Sequence, residues 1–263
     1  MDGVWDFLSP ERLATYAPFL ERYQAIRRSE GRGRADGEYY RSLPYVDLPD
    51  PIGKEWKIRA KNFHAFVSWL AKEDRPLQIA DLGAGCAWLS NRLSELGHQL
   101  VAIDLLAGKE DGLGSADHYQ TRFARARAEF DRLPLLAQSL DIVIYNGSFH
   151  YSTNFESTLR EALHVLRRSG KIVIFDSPVF QRREAGRRML AEREEIADLP
   201  SGRPEGFLDT ERTARLGTTL GLDWLRIDVR QDLRWELESW RRRVRRLREP
   251  ARFPLLIARR HDR

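Results

Sequence analysis

The most constraining feature of this 263-residue chain is a strand, glycine turn, helix and strand pattern between Ile79 and Asp104. A short apolar run ends in Asp-Leu-Gly-Ala-Gly at residues 81–85, an amphipathic stretch follows, and a second apolar run ends at Asp104. This order is typical of a βαβ unit in a parallel sheet. Glycines in the turn allow a ligand close to the backbone, and an acid after the second strand can bind ribose hydroxyls. We therefore predict a site for a nucleoside-bearing ligand, with Asp104 and the adjacent Leu105 among its contacts.

The details of the glycine turn argue against a pyrophosphate ligand. A dinucleotide site has a third glycine three residues after the second, but Trp88 occupies that position. An acid, Asp81, instead stands two residues before Gly83, which suits a ligand that carries an amine. A nicotinamide-dependent oxidoreductase is therefore the least favoured enzyme class.

Three further segments follow in order, at residues 128–134 (AEFDRLP), 139–146 (SLDIVIYN) and 165–176 (VLRRSGKIVIFD). With the glycine turn, this series resembles the class I S-adenosylmethionine-dependent methyltransferases over about residues 77–180. Ala87 is a departure, because the family often has glycine there. The resemblance implies S-adenosylmethionine as the cofactor.

The resemblance also implies roles for particular residues. The methionine part of the cofactor is expected at Asp81, Gly83, Ala84 and Gly85. The adenine edge is expected at the Glu129 carboxylate and the Phe130 backbone amide. The loop from Asn146 to Tyr151, including Gly147, is expected to face the methyl donor.

The same resemblance, together with the apolar patterning, predicts an α/β fold. We expect a Rossmann-like, doubly wound, seven-stranded sheet, mostly parallel with an antiparallel last strand, and an N-terminal helical cap. We interpret residues 1–263 as one domain of three segments. These are the cap (1–75), the cofactor-binding core (77–176) and a helical insertion with the closing strands (177–263).

Methyl transfer depends mainly on in-line positioning, and only a protonated acceptor requires a base. His150 and Tyr151 are the catalytic candidates, because they follow the fourth strand of the predicted core. The resembled family often has a histidine pair in this loop, and Tyr151 replaces the second histidine. A structural role in the loop is the alternative for His150. Asp176 and Ser177, after the next strand, are further candidates for orienting an acceptor.

Arg59 lies on the same predicted helix face as Trp56 and Phe63, so its guanidinium is carried toward the apolar side. A cation there requires an anionic partner or access to water. We hypothesise that Arg59 binds the carboxylate of the cofactor. An internal ion pair or a side chain that extends to solvent is the alternative.

The net charge of +5 and the pI near 9.5 raise the possibility of a nucleic-acid partner. Arginine is spread along the chain, however, and its densest run, at residues 241–248, alternates with apolar residues at helical spacing. We interpret that run as a solvated helix face rather than an RNA-binding surface. Cys86 is the only cysteine, which excludes an intramolecular disulfide and a cysteine-based zinc site. No compact acidic cluster predicts a metal.

No apolar stretch is long enough to span a bilayer, and the N-terminus lacks a signal-peptide pattern, so we expect a cytoplasmic protein without a membrane partner. The sequence does not indicate an oligomeric state. The leading hypothesis is a methyltransferase acting on an unidentified small molecule. An RNA or protein methyltransferase and a non-catalytic cofactor-binding protein are the alternatives.

Overall fold

The computed structural model describes residues 3–34, 36–192, 202–230 and 249–261. The strands are β1 (Trp5–Asp6), β2 (Gln78–Leu82), β3 (Gln99–Asp104), β4 (Ala124–Arg127), β5 (Leu140–Asn146), β6 (Leu166–Phe175), β7 (Val179–Phe180), β8 (Leu208–Asp209), β9 (Leu222–Ile227) and β10 (Leu255–Arg260). The helices are α1 (Pro10–Ser29), α2 (Gly37–Ser42), α3 (Ile52–Leu70), α4 (Trp88–Glu95), α5 (Phe155–Val165), α6 (Arg183–Glu192) and α7 (Thr210–Leu220).

The main sheet has the order β1-β4-β3-β2-β5-β6-β10-β9. Strands β1 to β6 pair in parallel, and β10 runs antiparallel between β6 and β9. The predicted doubly wound sheet with an antiparallel last strand is therefore confirmed. The expected strand number of seven becomes eight, because Trp5 pairs with Ala126 at the sheet edge. A two-residue strand is too short to produce an alternation in the sequence.

Apolar residues cover both faces of the sheet, as expected for parallel strands that alternate their side chains. Along β2, Ile79 packs in the layer that contains α3 and α4, whereas Ala80 packs in the layer that contains α5 and α7. The carboxyl ends of β2, β3 and β5 consequently lie between two helical layers. This is the edge at which open α/β sheets bind ligands.

The N-cap of the first helix, α1, is Ser9, whose Oγ accepts a hydrogen bond from the Arg12 backbone N–H at 3.2 Å. Pro10 follows at the first helical position, where its missing N–H costs no hydrogen bond. Within α1 only Tyr16 is buried, so the helix lies on the surface of the molecule. It passes over the carboxyl edge of the sheet and contributes to the site described below.

Helix α7 of the closing segment is capped at both ends. Asp209 is the N-cap of α7 and accepts from the Arg212 N–H at 2.7 Å, and Gly221 ends the helix with a φ of 63°. The arginine-rich run at 241–248 lies outside the described residues, so its predicted helix stays a prediction. Among the helices that the structure describes, none is long and apolar enough to cross a membrane.

Candidate functional site

The glycine turn after β2 is shaped by two different requirements. Gly83 has a φ of +70°, and a Cβ there would lie 2.3 Å from Ser148 Cβ, so the turn packs directly against the loop after β5. Gly85 has a φ of +54°, and a Cβ there would meet no atom within 4 Å. The first glycine thus permits close packing, and the second leaves open space above the sheet.

The departure at Ala87 has a visible consequence. Ala87 is the N-cap of α4 and has a φ of 56°, in the left-handed region that glycine adopts more readily. Its side chain is fully buried. The chain therefore keeps the backbone conformation of the turn with an alanine in it.

Asp104 connects the second strand to the glycine turn. Its Oδ2 accepts the Gly85 N–H at 2.8 Å, and its Oδ1 accepts the Leu106 N–H at 2.7 Å. Burial raises the pKa of Asp104, and these two N–H donors oppose the rise. The carboxylate lies in the wall of the cleft, where the sequence predicts the ribose contact.

Asp81 lies beneath the turn and not among the residues that line the cleft. Its Oδ2 accepts the Ser90 hydroxyl at 2.8 Å, which joins β2 to α4. Burial raises the pKa of Asp81 to about 7, although the Ser90 hydrogen bond opposes the shift. Direct contact between Asp81 and a cofactor stays a prediction, and the observed hydrogen bond of its side chain links the strand before the turn to the helix after it.

Glu129 lies in the cleft and is bonded to the cap. Arg12 and Tyr16 of α1 both donate to its carboxylate. Although burial opposes ionisation, these hydrogen bonds hold the pKa of Glu129 below its ordinary value. The acid that the resemblance assigns to the adenine edge therefore also fixes α1 over the sheet, and Phe130 lies beside it.

The cleft brings together the sequence-predicted cofactor residues other than Asp81. Its lining includes Arg59, Gly83, Ala84, Gly85, Asp104, Leu105, Glu129, Phe130, Asn146 and Gly147. Helix α1 supplies the opposite wall through Tyr16, Phe19, Leu20, Tyr23 and Arg27.

Two observations in this cleft fit S-adenosylmethionine. The space above Gly85 accepts a ligand next to the backbone, and Asn146 has a buried side-chain oxygen with no hydrogen-bond partner among the described residues. An ammonium group would satisfy that oxygen.

Cys86 also lines the cleft, and burial raises the pKa of its thiol to about 11, so it behaves as a neutral small side chain.

A second cavity adjoins the cleft and shares part of its wall. Both are lined by Phe19, Tyr23, Arg27, Arg59, Gly147 and Tyr151. His150 and Asp176 line the second cavity and not the cleft. The two catalytic candidates therefore differ in position. Tyr151 lies at the boundary between the cleft and the second cavity, whereas His150 lines only the second cavity.

Aromatic packing and hydrogen bonds orient the two catalytic candidates. The Tyr151 ring stands edge-on to the Tyr23 ring of α1, with 5.8 Å between the ring centroids. The centroids of the His150 and Tyr151 rings are 4.4 Å apart. His150 Nδ1 is 3.3 Å from Ser177 Oγ. Their catalytic roles stay predictions.

Arg59 reaches the boundary between the two cavities. Its guanidinium lies over the Trp56 ring at 4.9 Å, and its Nη2 would be 3.6 Å from a Cβ at Gly147. No carboxylate of the described residues forms an ion pair with it at up to 4.0 Å. The alternative of an internal ion pair is therefore not observed within the described part of the chain.

The N-terminal cap was expected to wall the acceptor site, but the sequence prediction named no residue of α1. Residues 16, 19, 20, 23 and 27 recur at helical spacing and line the cleft together. That spacing was a usable signal, because it defines one helix face.

Comparison with known proteins agrees with the geometry. A family model described as a methyltransferase domain matches residues 80–174. The malonyl-[acyl-carrier protein] O-methyltransferase of Hahella chejuensis is 30% identical over 106 residues, which cover 40% of this chain and 38% of that protein. The chain thus matches well under half the length of this relative.

Similarity to solved structures extends over more of the chain. The PH0226 protein of Pyrococcus horikoshii superimposes with a TM-score of 0.56 at 17% identity, covering 85% of this chain and 99% of that protein. The [4+2]-cyclase SpnF has a TM-score of 0.55 at 16% identity and covers 76% of this chain and 80% of its own. Likeness at this level shows the fold alone.

The sheet order and the helical layers define a class I methyltransferase fold with an open cleft at the carboxyl edge of the sheet. The matched model shows that residues 80–174 are a methyltransferase domain, which agrees with the predicted class I S-adenosylmethionine-dependent methyltransferase family. The predicted family and its cofactor, S-adenosylmethionine, are confirmed.

Proposed function

We propose that this protein transfers a methyl group from S-adenosylmethionine to a small molecule held in the second cavity. The observation that carries the proposal is the wall shared by the two cavities at Arg59, Gly147 and Tyr151. A donor on one side of that wall and an acceptor on the other meet at Gly147, which has no side chain to separate them. Positioning of this kind supplies much of the acceleration of a displacement reaction.

The cofactor supplies the reactive methyl group, and the residues of the cleft hold its separate parts. Asp104 accepts hydrogen bonds from the ribose hydroxyls, and the Phe130 backbone amide and Glu129 contact the adenine edge. Asn146 accepts from the amino group, because its buried oxygen lacks another partner. Arg59 binds the carboxylate, because no acid of the described residues forms an ion pair with it at up to 4.0 Å.

A small acceptor is favoured over a macromolecule by the cap. Helix α1 covers both cavities and is attached at its two ends to acids of the sheet edge. Near its start Arg12 binds Glu129, and near its end Arg27 donates to Asp111 through Nε at 2.7 Å and Nη2 at 2.9 Å. The covered site excludes water from the transfer step and limits the size of the acceptor.

The first test is calorimetry with S-adenosylmethionine, S-adenosylhomocysteine and NAD. We expect both adenosyl ligands to bind and NAD not to bind. Protein that binds NAD in preference would contradict the cofactor assignment.

The second test follows a radiolabelled methyl group from S-adenosylmethionine into separated fractions of a cell extract. Label in small molecules supports the proposal. Label in RNA or protein, with RNA binding that weakens steeply with salt, would favour the macromolecular alternative. Cofactor binding without label in any fraction would favour a non-catalytic protein. A cytoplasmic location stays a prediction.

A further inference from the structure

The second cavity contains one carboxylate that its surroundings do not satisfy. Asp176 follows β6, is 9% exposed and lines the cavity. Its Oδ1 accepts from Asn62 Nδ2 of α3 at 2.5 Å. Its Oδ2 is buried and has no hydrogen-bond partner among the described residues. A buried oxygen of this kind destabilises the protein unless a ligand provides a donor.

Asp176 also lies at the point where the cavities meet. Its Cβ and its carbonyl oxygen would be 3.6 and 3.7 Å from a Cβ at Gly147. The backbone of Asp176 has a φ of 55°, in the left-handed region that costs energy for a residue with a side chain. The local fold thus holds this carboxylate beside the wall through which a methyl group would pass.

The other charges of the second cavity are largely paired. Arg32 binds both Glu30 and Glu55, and Arg27 binds Asp111. Arg22 is exposed on α1. The remaining groups near the boundary are Arg59, His150 and Asp176. Once Arg59 is neutralised by the cofactor carboxylate, Asp176 is left as a buried negative charge.

We propose that Asp176 binds a protonated amine, so that the acceptor is a small primary or secondary amine with an apolar body. This inference rests on the proposed function and identifies the substrate class of the same site. A cation satisfies Oδ2 with a charge-assisted hydrogen bond, which is stronger than one from a neutral donor. The apolar body is accommodated by the lining residues Phe19, Ile26, Ile58, Pro178 and Met189.

The same carboxylate accounts for the proton that the amine must lose. An N–H bond breaks with its electron pair left on nitrogen, and the proton forms an O–H bond at Asp176 Oδ2. Burial raises the pKa of Asp176, while Arg59 and Asn62 of α3 lower it and Glu55 raises it. His150, from the loop after β5, also faces this cavity. A raised pKa of Asp176 is closer to the pKa of the protonated amine, and this smaller difference favours the proton transfer.

The test uses three probes with one aromatic body and different head groups: benzylamine, benzyl alcohol and benzoate. Each is titrated by calorimetry into protein saturated with S-adenosylhomocysteine. We expect benzylamine to bind most tightly. Asp176→Asn should weaken benzylamine by about tenfold or more and change benzyl alcohol by less than about twofold. Asparagine tolerates the positive φ and still accepts the Asn62 hydrogen bond, so it is the matched variant.

Controls separate the charge of Asp176 from other effects. Glu30→Gln removes another carboxylate of the same cavity but leaves Arg32 paired with Glu55, so benzylamine affinity should not change. Asp176→Gly, which suits the positive φ and removes the carboxylate, should repeat the loss if the asparagine variant fails to fold.

Two outcomes would overturn the inference. Benzyl alcohol or benzoate binding as tightly as benzylamine would do so, as would unchanged benzylamine affinity in both Asp176 variants. In either case bound S-adenosylhomocysteine would leave the proposed function standing. Failure of S-adenosylhomocysteine itself to bind would overturn both.

Discussion

The cofactor cleft and the second cavity are neighbours, but they are built in different ways. Much of the cleft comes from one βαβ unit, and its shape depends on backbone conformation at Gly83, Gly85 and Ala87. The second cavity is assembled from α1, α3, the loop after β5, Asp176 and residues near Phe253, which are far apart in the chain. A contiguous backbone site can be recognised from sequence, whereas a cavity made of distant side chains depends on tertiary packing. Substitutions in the two regions should therefore have different effects.

The largest effect is expected from Gly83→Ala, which tests the backbone-defined cleft. The new Cβ would clash with Ser148 Cβ, and the residue would keep a positive φ. We expect a loss of about 3 kcal/mol in the free energy of unfolding, from strain and overpacking together. Urea denaturation measures it, and calorimetry should show that S-adenosylhomocysteine binding is lost.

Gly85→Ala is the matched control, because its Cβ meets no protein atom. We expect it to lose only about 1 kcal/mol of stability, owing to the left-handed backbone. Its methyl group occupies ligand space, so cofactor affinity should still fall. Equal destabilisation by the two substitutions would contradict the distinction between a packing glycine and a ligand-facing glycine.

Arg59→Ala tests the residue at the boundary of the two cavities. We expect S-adenosylhomocysteine to bind about 1.5 to 3 kcal/mol more weakly, because a charged hydrogen bond to its carboxylate is lost. Methylthioadenosine, which lacks that carboxylate, should bind equally to both proteins. Arg22→Ala, on α1 in the second cavity alone, is the control.

Unchanged affinity for S-adenosylhomocysteine in Arg59→Ala would remove the carboxylate assignment. A parallel loss for methylthioadenosine would show that Arg59 acts through the Trp56 ring on which it lies.

Asp104→Ala should weaken cofactor binding by about 1 to 3 kcal/mol, because the ribose hydroxyls lose an acceptor. Here S-adenosylhomocysteine and methylthioadenosine should be affected alike, since both contain the ribose. The pattern therefore differs from that of Arg59→Ala. If the variant binds both ligands as well as the parent does, the ribose assignment is wrong.

The smallest effect concerns pH and Asp81. Because its pKa is about 7 in the folded protein and 3.8 in the reference state, the folded protein holds a proton that the unfolded chain releases. The free energy of unfolding of cofactor-free protein should therefore fall as the pH rises from about 4 to about 7. Asp81→Asn should make this slope shallower.

Denaturation at several pH values measures the slope, and the same change at exposed Asp47 is the control. Part of the slope should remain in Asp81→Asn, because burial also raises the pKa values of Asp104 and Asp176. A slope identical to that of the parent would contradict the buried, protonated state of Asp81.

Sequence alone predicted the parallel sheet, its antiparallel last strand and most of the cleft. Those features depend on local periodicity, on glycine positions and on the acid at the end of β3, which can all be recognised in the sequence of one βαβ unit. It predicted Asp81 at the cofactor, which stays a prediction, but it did not predict that the buried Asp81 carboxylate accepts a hydrogen bond from the Ser90 hydroxyl of α4, because that contact depends on tertiary packing. It also missed β1, which contributes only two residues.

Only the tertiary structure decided which side chains meet at the second cavity. Asn62 and Asp176 are 114 residues apart in the chain yet are in contact, and Tyr23 of α1 packs edge-on against Tyr151 of the loop after β5. Such contacts leave no periodic signal, because they depend on how α1 and α3 pack over the carboxyl edge of the sheet. The sequence predicted where a nucleoside binds, since that predicted site is made by a short stretch of backbone. The fold determined what lies opposite it, since that wall is made by distant side chains.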